Sequence, residues 1–373
     1  MVDLKGQYDF IKDEIDQALD DVFQTTSFIN GIAVQEFQSN LEHYLGVKHV
    51  IPCANGTDAL QIALMSLSLS SGDEVITPNF TFAATVEVIA LLKLKPILVD
   101  VDPKTFMLNV DEVEKALTAK TKVILPVHLF GQCAPMESLL ALAKKHKIYV
   151  LEDNAQALGA VYTLSNGKKA KAGTLGHIGA TSFFPSKNLG AYGDGGAIFT
   201  NDDDLAHHLR GIVNHGMYKR YHHDVVGVNS RLDSFQAAVL NVKLKYLDFY
   251  NEKRKTAALH YNKAFAQSDT LITPHREGEC DSHVYHQYTL QIKKGNRDKL
   301  VQYLENQGIP CGVYYPIPLH QQKAYADPLV EDSKFPNTIQ LCKEVISLPM
   351  HTELTLDQIE FISKQILSFV NNV

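Results

Sequence analysis

Short apolar runs alternate with helix-period segments from about residue 46 to residue 240, and this alternation constrains the fold more than any other feature of the sequence. The predicted strands span residues 74–77, 97–99, 123–127 and 149–151, and the predicted helices between them span residues 85–94, 112–117 and 138–146. Such an alternation of strands and helices predicts a mostly parallel sheet that is covered by helices.

The later patterns predict a second domain. Aspartates at residues 202–204 predict a helix N-terminus, and apolar residues at helical spacing over residues 231–254 predict one long helix that leads into the second domain. There, residues 285–292 alternate like a strand, whereas residues 297–307 and 356–370 have the helical period. A chain of 373 residues that is 45% hydrophobic can bury enough apolar surface for two domains. We therefore predict an α/β protein with a large, mostly parallel-sheet domain over residues 41–250 and a smaller C-terminal α+β domain over residues 251–373.

Charge and cysteine content argue against a nucleic-acid-binding protein and against a disulfide-bonded one. The formal net charge of -7 offers no broad attraction for nucleic acid, so an anionic substrate would need a local basic pocket. Five cysteines are an odd number without framework spacing, which favours free thiols. Because neither a signal-peptide pattern nor an apolar stretch of membrane-spanning length is seen, we expect a soluble, cytoplasmic protein with no membrane partner.

Lys187 is the candidate reactive residue. It lies five residues after Ser182 and is followed by the glycine-rich residues 190–196. Desolvation or a nearby cation lowers the pKa of a lysine and makes it a nucleophile that a carbonyl cofactor can capture. The alternative is an ordinary solvated loop lysine.

Residues 53–60 predict a strand, a glycine turn and a helix start around Gly56 and Thr57. The first amides of a helix lack intrahelical partners and lie at the positive end of its dipole, so this turn suits a phosphate group. The same residues are also compatible with an ordinary capped turn.

A third segment, residues 148–159, predicts a buried strand that delivers Asp153 and Gln156 into a turn of small residues. Ligands of open α/β sheets bind beyond the carboxyl ends of the strands. An aspartate there can hold the proton on a cofactor's pyridine nitrogen, although Asp153 is also compatible with a purely structural helix cap.

Two other groupings are weaker candidates. Cys280, His283 and His286 have the identities of zinc ligands, but residues 283–288 alternate like a strand, whose successive side chains face opposite sides, so we predict no metal site. Residues 190–195 miss the spacing of a dinucleotide-binding loop.

Taken in order, these segments resemble the DegT/DnrJ/EryC1/StrS family of sugar aminotransferases, which have aspartate aminotransferase fold type I and depend on pyridoxal 5'-phosphate. The resemblance covers nearly the whole chain, including residues 2–8, 72–78, 126–132, 227–238 and 314–320. It implies that residues 1–40 form a helical segment packing on the small domain. It also implies a homodimer with shared active sites.

The resemblance assigns a role to each matching residue. Lys187 would bind the cofactor covalently and act as the catalytic base, Asp153 would contact the pyridine nitrogen, and Gln156 the ring oxygen. The phosphate would be held by Gly56, Thr57 and Ser182, with Asn229 reaching the phosphate in the partner subunit. Phe82 would stack on the cofactor, although without the resemblance a core phenylalanine is its simpler reading. The predicted substrate-binding residues are Arg231, Tyr314, Tyr315 and His320. Arg231 is equally compatible with a structural ion pair at a helix start.

The implied reaction is a ping-pong transamination from L-glutamate to a keto carbon of a nucleotide-linked sugar. Residues 182–187 and 193–196 are similar to the enzymes that aminate C3, whereas many C4-aminating relatives have histidine where this chain has Pro185. Residues 53–65, 130–133 and 190–200 are most similar to the branch that acts on UDP-2-acetamido-2-deoxy-3-oxo-glucuronate for O-antigen synthesis. At position 188, the glucuronate branch has proline, and Asn188 of this chain instead resembles the dTDP-3-keto-6-deoxyhexose branch.

Three further functions fit the same resemblance. They are a C4 aminotransferase, a sugar dehydratase of the same fold and a cofactor-binding regulatory protein. The dehydratase branch has histidine at the position of Lys187. Because this chain keeps the lysine, the dehydratase function is disfavoured.

Overall fold

The computed structural model describes residues 1–276, 283–293, 297–327 and 330–372. The strands are β1 (His49–Cys53), β2 (Glu74–Pro78), β3 (Lys95–Val99), β4 (Thr121–Ile124), β5 (Tyr149–Asp153), β6 (Val161–Thr163), β7 (Lys169–Lys171), β8 (Ile178–Ser182), β9 (Gly196–Thr200), β10 (Met217–Lys219), β11 (His222–His223), β12 (Leu271–Ile272), β13 (Tyr288–Ile292) and β14 (Val345–Leu348). The helices are α1 (Leu4–Phe10), α2 (Lys12–Thr25), α3 (Ile32–Leu45), α4 (Gly56–Met65), α5 (Ala84–Leu91), α6 (Val110–Ala116), α7 (Met136–His146), α8 (Asp203–Ile212), α9 (Ser234–Leu244), α10 (Leu247–Phe265), α11 (Arg297–Asn306), α12 (Pro336–Glu344) and α13 (Leu356–Asn371).

The large sheet has seven strands in the order β1-β9-β8-β5-β4-β2-β3. Strands β8, β5, β4, β2 and β3 run parallel to one another, whereas β9 pairs antiparallel with both β8 and β1. The predicted mostly parallel sheet is therefore confirmed. The antiparallel direction of β9 had no signal in the alternation, because a short buried strand has the same apolar pattern in either direction.

Local sequence signals explain where several helices begin. The Asn55 side chain caps α4 by accepting the amide of Asp58 at 2.8 Å, and Asp202 caps α8 through the amides of Asp204 and Leu205. Thr355 and Gln358 form a reciprocal capping box at the start of α13. Each side chain satisfies backbone donors that a helix terminus leaves without partners.

A second, smaller sheet has the antiparallel order β12-β13-β14. Its apolar residues form a separate core with side chains of α10, α11 and α13, including Tyr261, Leu300 and Ile362. The N-terminal residues reach both regions. Ile11 and Ile15 pack against Val239 of α9, whereas Gln7 donates a hydrogen bond to Thr352. The domain boundaries proposed from the sequence stay a prediction.

Two predicted elements differ from the structure. The single helix predicted over residues 231–254 is wrong, because α9 ends at Leu244 and α10 begins at Leu247. An apolar stripe continues across this interruption, so periodicity alone did not reveal it. The strand predicted over residues 285–292 begins only at Tyr288. None of the described helices is long and apolar enough to cross a lipid bilayer.

Candidate active site

The carboxyl ends of β1, β5 and β8 meet at one edge of the large sheet and bring the predicted cofactor residues together. Asp153 ends β5, Ser182 ends β8, and Gly56 begins the helix after β1. Strand β9 starts at this edge, where Gly196 pairs with both Cys53 and Ser182. Residues 183–195, which carry Lys187, connect β8 to β9 above the same edge.

The start of α4 forms a compact cradle against β8. The first backbone hydrogen bond of the helix runs from the amide of Ala59 to the Asn55 carbonyl at 3.1 Å, and Asn55 Oδ1 caps Asp58. The amides of Gly56 and Thr57 precede these bonds and so remain for an anion. A Cβ atom on Gly56 would lie 2.6 Å from Cβ of Ser182, so only glycine allows this approach. These free backbone amides are donors of the kind that bind a phosphate group.

Asp153 is a buried carboxylate that the protein orients but does not neutralise. Its Oδ2 accepts a hydrogen bond from Thr85 Oγ1 at 3.0 Å, and its Oδ1 accepts the amide of Ala155 at 3.1 Å. Burial raises the pKa of Asp153, although these hydrogen bonds and the charge of Lys187 act in the opposite direction. Among the described residues Asp153 has no ion pair within salt-bridge distance, so a cationic ligand would complement it.

Lys187 has the chemistry of an activated amine. Desolvation by burial lowers its pKa from 10.5 to about 8, and the attraction of Asp153 opposes part of this effect. No hydrogen bond or ion pair of its Nζ atom is found within the part of the chain that the structure describes. A lysine with this pKa is unprotonated in about a tenth of the molecules at pH 7, far more than an ordinary lysine, and this free amine can act as nucleophile or base.

Gln156 links the site to two neighbouring segments. Its Oε1 accepts the amide of Phe130 at 2.6 Å, and its Nε2 donates to the hydroxyl of Tyr315 at 3.3 Å. Phe82 is 56% exposed, and its ring centroid lies 6.2 Å from that of Tyr315. The structure therefore does not place Phe82 in the core, and a ring on the open side of a site can stack on a ligand.

Asn229 and Arg231 flank a structural serine. Ser230 donates to Asp58 Oδ2 at 2.6 Å and accepts the amide of Ala54 at 3.0 Å, which ties this segment to the start of α4. Asn229 is exposed. The Arg231 guanidinium has no hydrogen bond or ion pair with any residue that the structure describes.

The other predicted substrate residues divide into two groups. Tyr314 and Tyr315 are half-buried, with ring centroids 6.0 Å apart. His320 is buried, and both of its ring nitrogens have protein partners: Nδ1 lies 2.7 Å from the Asn79 amide and Nε2 lies 2.9 Å from Asp332. His320 thus joins Asn79 to Asp332 in this structure, and its substrate role stays a prediction.

Sequence reasoning missed the groups that support Asp153. Thr85 lies on the buried face of α5, and nothing in the sequence separated it from other core threonines. The buried Glu152 accepts the amides of Gly173 and Leu175 and contacts His128 Nε2 at 2.8 Å. His128 Nδ1 accepts the amide of Ala134, so Nε2 carries the proton and donates to Glu152. This network fixes the strand end that carries Asp153.

His286, considered above as a metal ligand, belongs to this region instead. It is buried, and its pKa is lowered well below the ordinary value by desolvation and then by the charges of Lys187 and Arg254. Cys280 lies outside the described residues. Among the described residues no group of three potential metal ligands is found.

A mostly parallel α/β sheet with a desolvated amine, a buried carboxylate and an anion cradle at its carboxyl edge defines an enzyme that works through an anionic carbonyl cofactor. The chain matches the DegT/DnrJ/EryC1/StrS aminotransferase family over residues 9–367, and it belongs to this family.

Three relatives bear on its activity. A "Pleiotropic regulatory protein" of Geobacillus stearothermophilus is 46% identical over 99% of this chain and 98% of its own length. The UDP-2-acetamido-2-deoxy-3-oxo-D-glucuronate aminotransferase of Pseudomonas aeruginosa is 46% identical over 97% of both chains. The UDP-N-acetyl-3-dehydro-alpha-D-glucosamine 3-aminotransferase of Acidithiobacillus ferrooxidans is 42% identical over 96% of this chain and 94% of its own.

Two solved structures share the fold. DesV of S. venezuelae, crystallised in complex with a ketimine intermediate, has a TM-score of 0.95 and 34% identity, with 100% of this chain and 98% of that chain covered. NtdA of Bacillus subtilis, with bound cofactor PMP, has a TM-score of 0.87 and 31% identity, with 96% and 82% covered. The fold is therefore type I, and the chain is a sugar aminotransferase that depends on pyridoxal phosphate.

The residues at the sheet edge fit this cofactor. The cradle at Gly56, Thr57 and Ser182 suits its phosphate, Asp153 suits a protonated pyridine nitrogen, and Lys187 suits its carbonyl carbon. A pyridinium beside Asp153 would reverse the effect of burial on the pKa of that carboxyl, because an opposite charge favours the ionised form.

Proposed function

We propose that this aminotransferase moves an amino group from L-glutamate to C3 of UDP-2-acetamido-2-deoxy-3-oxo-glucuronate, for surface polysaccharide synthesis. The observation that carries the proposal is the 46% identity, over 97% of both chains, to an aminotransferase named for this substrate. Pro185, at the position where many C4-aminating relatives have histidine, supports amination at C3.

The proposed acceptor is a uronate, and Arg231 is the candidate partner for its carboxylate. A guanidinium pairs with a carboxylate through two parallel hydrogen bonds. Arg231 has no competing partner among the described residues, and it lies two residues from Asn229. Tyr314 and Tyr315 would line the sugar side of the site.

Lys187 and Asp153 divide the chemistry between them. When bound, pyridoxal phosphate accepts the electron pair released at the α-carbon of the amino donor. Lys187 moves the proton at that carbon, and its lowered pKa of about 8 suits a base near neutral pH. Asp153 holds a proton at the pyridine nitrogen, while Gln156 orients the ring oxygen.

A panel of keto sugars tests the proposed acceptor. Purified enzyme with glutamate would be offered the 3-keto uronate, the matching 3-keto sugar without the carboxylate, a dTDP-3-keto-6-deoxyhexose and a 4-keto sugar. We expect the highest kcat/KM with the uronate. A higher kcat/KM with any of the other three would refute the acceptor and identify its replacement.

We also propose a homodimer with shared active sites, in which Asn229 contacts the phosphate bound by the partner subunit. The exposure of Asn229 supports this role, because an exposed amide is available to a second chain. The bond from Ser230 to Asp58, however, holds the same segment near the cradle of its own chain. The choice between the two sites is an experimental question that mixed dimers answer.

A regulatory role is the second candidate function, and the name of the Geobacillus stearothermophilus relative favours it. The intact set of Lys187, Asp153 and Gln156 weighs against a purely regulatory protein, since binding alone requires no electron-accepting site. Glutamate turnover tests this: purified protein that binds the cofactor but forms no 2-oxoglutarate in the presence of any keto sugar would favour regulation.

A further inference from the structure

Asn188, the residue after Lys187, makes a buried amide contact with α10. Its Nδ2 donates to Asn251 Oδ1 at 2.7 Å and to the carbonyl of Val284 at 3.2 Å. Asn188 and Asn251 are 4% and 3% exposed. Water therefore has little access to this pair, and a lost partner there would leave a buried polar group unsatisfied.

Asn251 carries the contact onward to the turn that follows Asp153. Its Nδ2 donates to the carbonyl of Leu158 at 3.2 Å. Gly159 allows this approach, because a Cβ atom there would lie 2.4 Å from Nδ2 of Asn251 and the backbone has a φ of +90°. The Asn251 side chain of α10 thus binds both the Lys187 segment and the turn that follows Asp153.

The other partner of Asn188 leads to Gln156. The amide of Val284 donates to the carbonyl of Gly131 at 2.8 Å, and the preceding residue, Phe130, donates its amide to Gln156 Oε1. The contacts therefore form a closed ring from the lysine segment through Val284, the residue 130–131 turn, Gln156, Leu158 and Asn251 back to Asn188.

The rest of the lysine segment is held from α9. Lys243, which is 1% exposed, donates to the carbonyl of Gly190 at 2.6 Å, and Gln236 Oε1 accepts the amide of Tyr192 at 2.9 Å. These two bonds fix the segment downstream of Lys187. The Asn188 bonds lie much nearer the lysine in sequence and are the ones that connect it to the Asp153 turn.

We propose that Asn188 and Asn251 are positioning residues that fix the Lys187 segment against the Asp153 turn. The proposal rests on the proposed role of Lys187. Placement matters because a displacement of about 1 Å at a reacting group can cost on the order of a hundredfold in rate.

Trace acylation of cofactor-free protein measures the effect at Lys187 itself. The pH dependence of acylation at this lysine, read by peptide mass spectrometry, reports the fraction of free amine. For the wild type we expect a midpoint near 8. In Asn188→Leu and Asn251→Leu, we expect water to enter and the midpoint to rise, which lowers labelling at neutral pH about tenfold for each rise of one in the pKa.

A matched control is available on the outer face of α9. Asn241 Oδ1 accepts from Asn40 Nδ2 at 3.0 Å and Asn241 Nδ2 donates to the carbonyl of Ala33, so Asn241→Leu removes an exposed amide pair between α9 and α3 that makes no hydrogen bond to the described residues of the lysine segment. We expect the wild-type labelling profile from this variant. An equal change in the control would show that the effect is not specific to Asn188 and Asn251.

The rate of covalent attachment of pyridoxal phosphate, followed by absorbance, provides the second readout and should fall about tenfold or more in both variants. A lower melting temperature with unchanged labelling and attachment would refute positioning and leave a structural role only. Asn188→Ser, which leaves room for water and a hydroxyl, replaces Asn188→Leu if the latter does not fold. Because labelling is read without cofactor, failure of the proposed function would not alter this outcome.

Discussion

Replacing the half-buried Lys187 with a neutral side chain of similar size should stabilise the cofactor-free protein at neutral pH. Lys187 has a pKa of about 8 in the fold, against 10.5 ordinarily, because burial disfavours its charged form. A change of one in pKa corresponds to about 1.4 kcal/mol, so keeping the ammonium buried costs at most about 3 kcal/mol of unfolding free energy. Lys187→Met removes this cost and retains most of the apolar contact.

The sign of the pH dependence follows from proton counts. Below pH 8, Lys187 carries its proton in both the folded and the unfolded wild type, and the full free-energy cost of the desolvated ammonium is present. Between 8 and 10.5, the folded protein has lost its proton while the unfolded chain keeps it, so wild-type stability rises with pH. The advantage of Lys187→Met should therefore be about 3 kcal/mol at neutral pH and should approach zero near 10.5.

Urea unfolding of the cofactor-free wild type and Lys187→Met proteins, at neutral pH and near pH 10.5, measures this difference in stability. Titration of other groups affects both proteins and cancels in the comparison. The exposed Lys120 supplies the control: Lys120→Met should give a difference near zero that does not change with pH. Two results would show that the charged lysine does not destabilise the fold. One is a Lys187→Met protein that is less stable than the wild type at neutral pH, and the other is a stability difference that is the same at both pH values.

Three further outcomes test the site. Borohydride reduction of the yellow holoenzyme should fix the cofactor on Lys187, and peptide mass showing it on another lysine would overturn the assignment; Lys187→Ala should lose the attachment. Arg231→Ala should lower kcat/KM for a 3-keto uronate about tenfold or more while changing that for a neutral 3-keto sugar much less, and equal losses would remove the carboxylate role. Lys187→Ala and Asn229→Ala subunits, each feeble alone, should recover about a quarter of wild-type activity after joint refolding, since half of randomly paired dimers have one intact site of two. No recovery in a sample that contains mixed dimers would place Asn229 in its own subunit's site.

The sequence predicted the parts of the site that depend on local signals. Asp153 at a strand end, Gly56 at a helix start and Lys187 in the connection after Ser182 follow from apolar runs and glycine placement. Thr85, Asn188 and Asn251 were not predicted as site residues, because their importance comes from partners far away in the chain. No periodicity marks such contacts.

The same distinction explains the errors in the fold. The break between α9 and α10 lies within a continuous apolar stripe, and the direction of β9 depends on which strands flank it. Tertiary structure also decides the exposure of Phe82, and the sequence alone did not separate the predicted stacking ring from a core phenylalanine. These features are decided by long-range packing, which a single sequence does not display.

The position of β9 also determines the order in which this enzyme can be built during synthesis. Strand β1 lies at the edge of the sheet and pairs only with β9. His49 therefore cannot pair within the sheet until Thr200, its partner in β9, has been synthesised. By contrast, β8 and β9 are joined by residues 183–195 and can pair locally as soon as they leave the ribosome. Closing a chain segment as long as the one between β1 and β9 carries an entropy cost that local pairing avoids. A nascent chain that stops before β9 already contains Gly56, Asp153 and Ser182, yet it lacks the strand that joins β1 to the rest of the sheet. Strand β1 can therefore join the sheet only after Thr200 of the 373 residues has been made, near the middle of translation, and the cofactor site cannot be complete before that point.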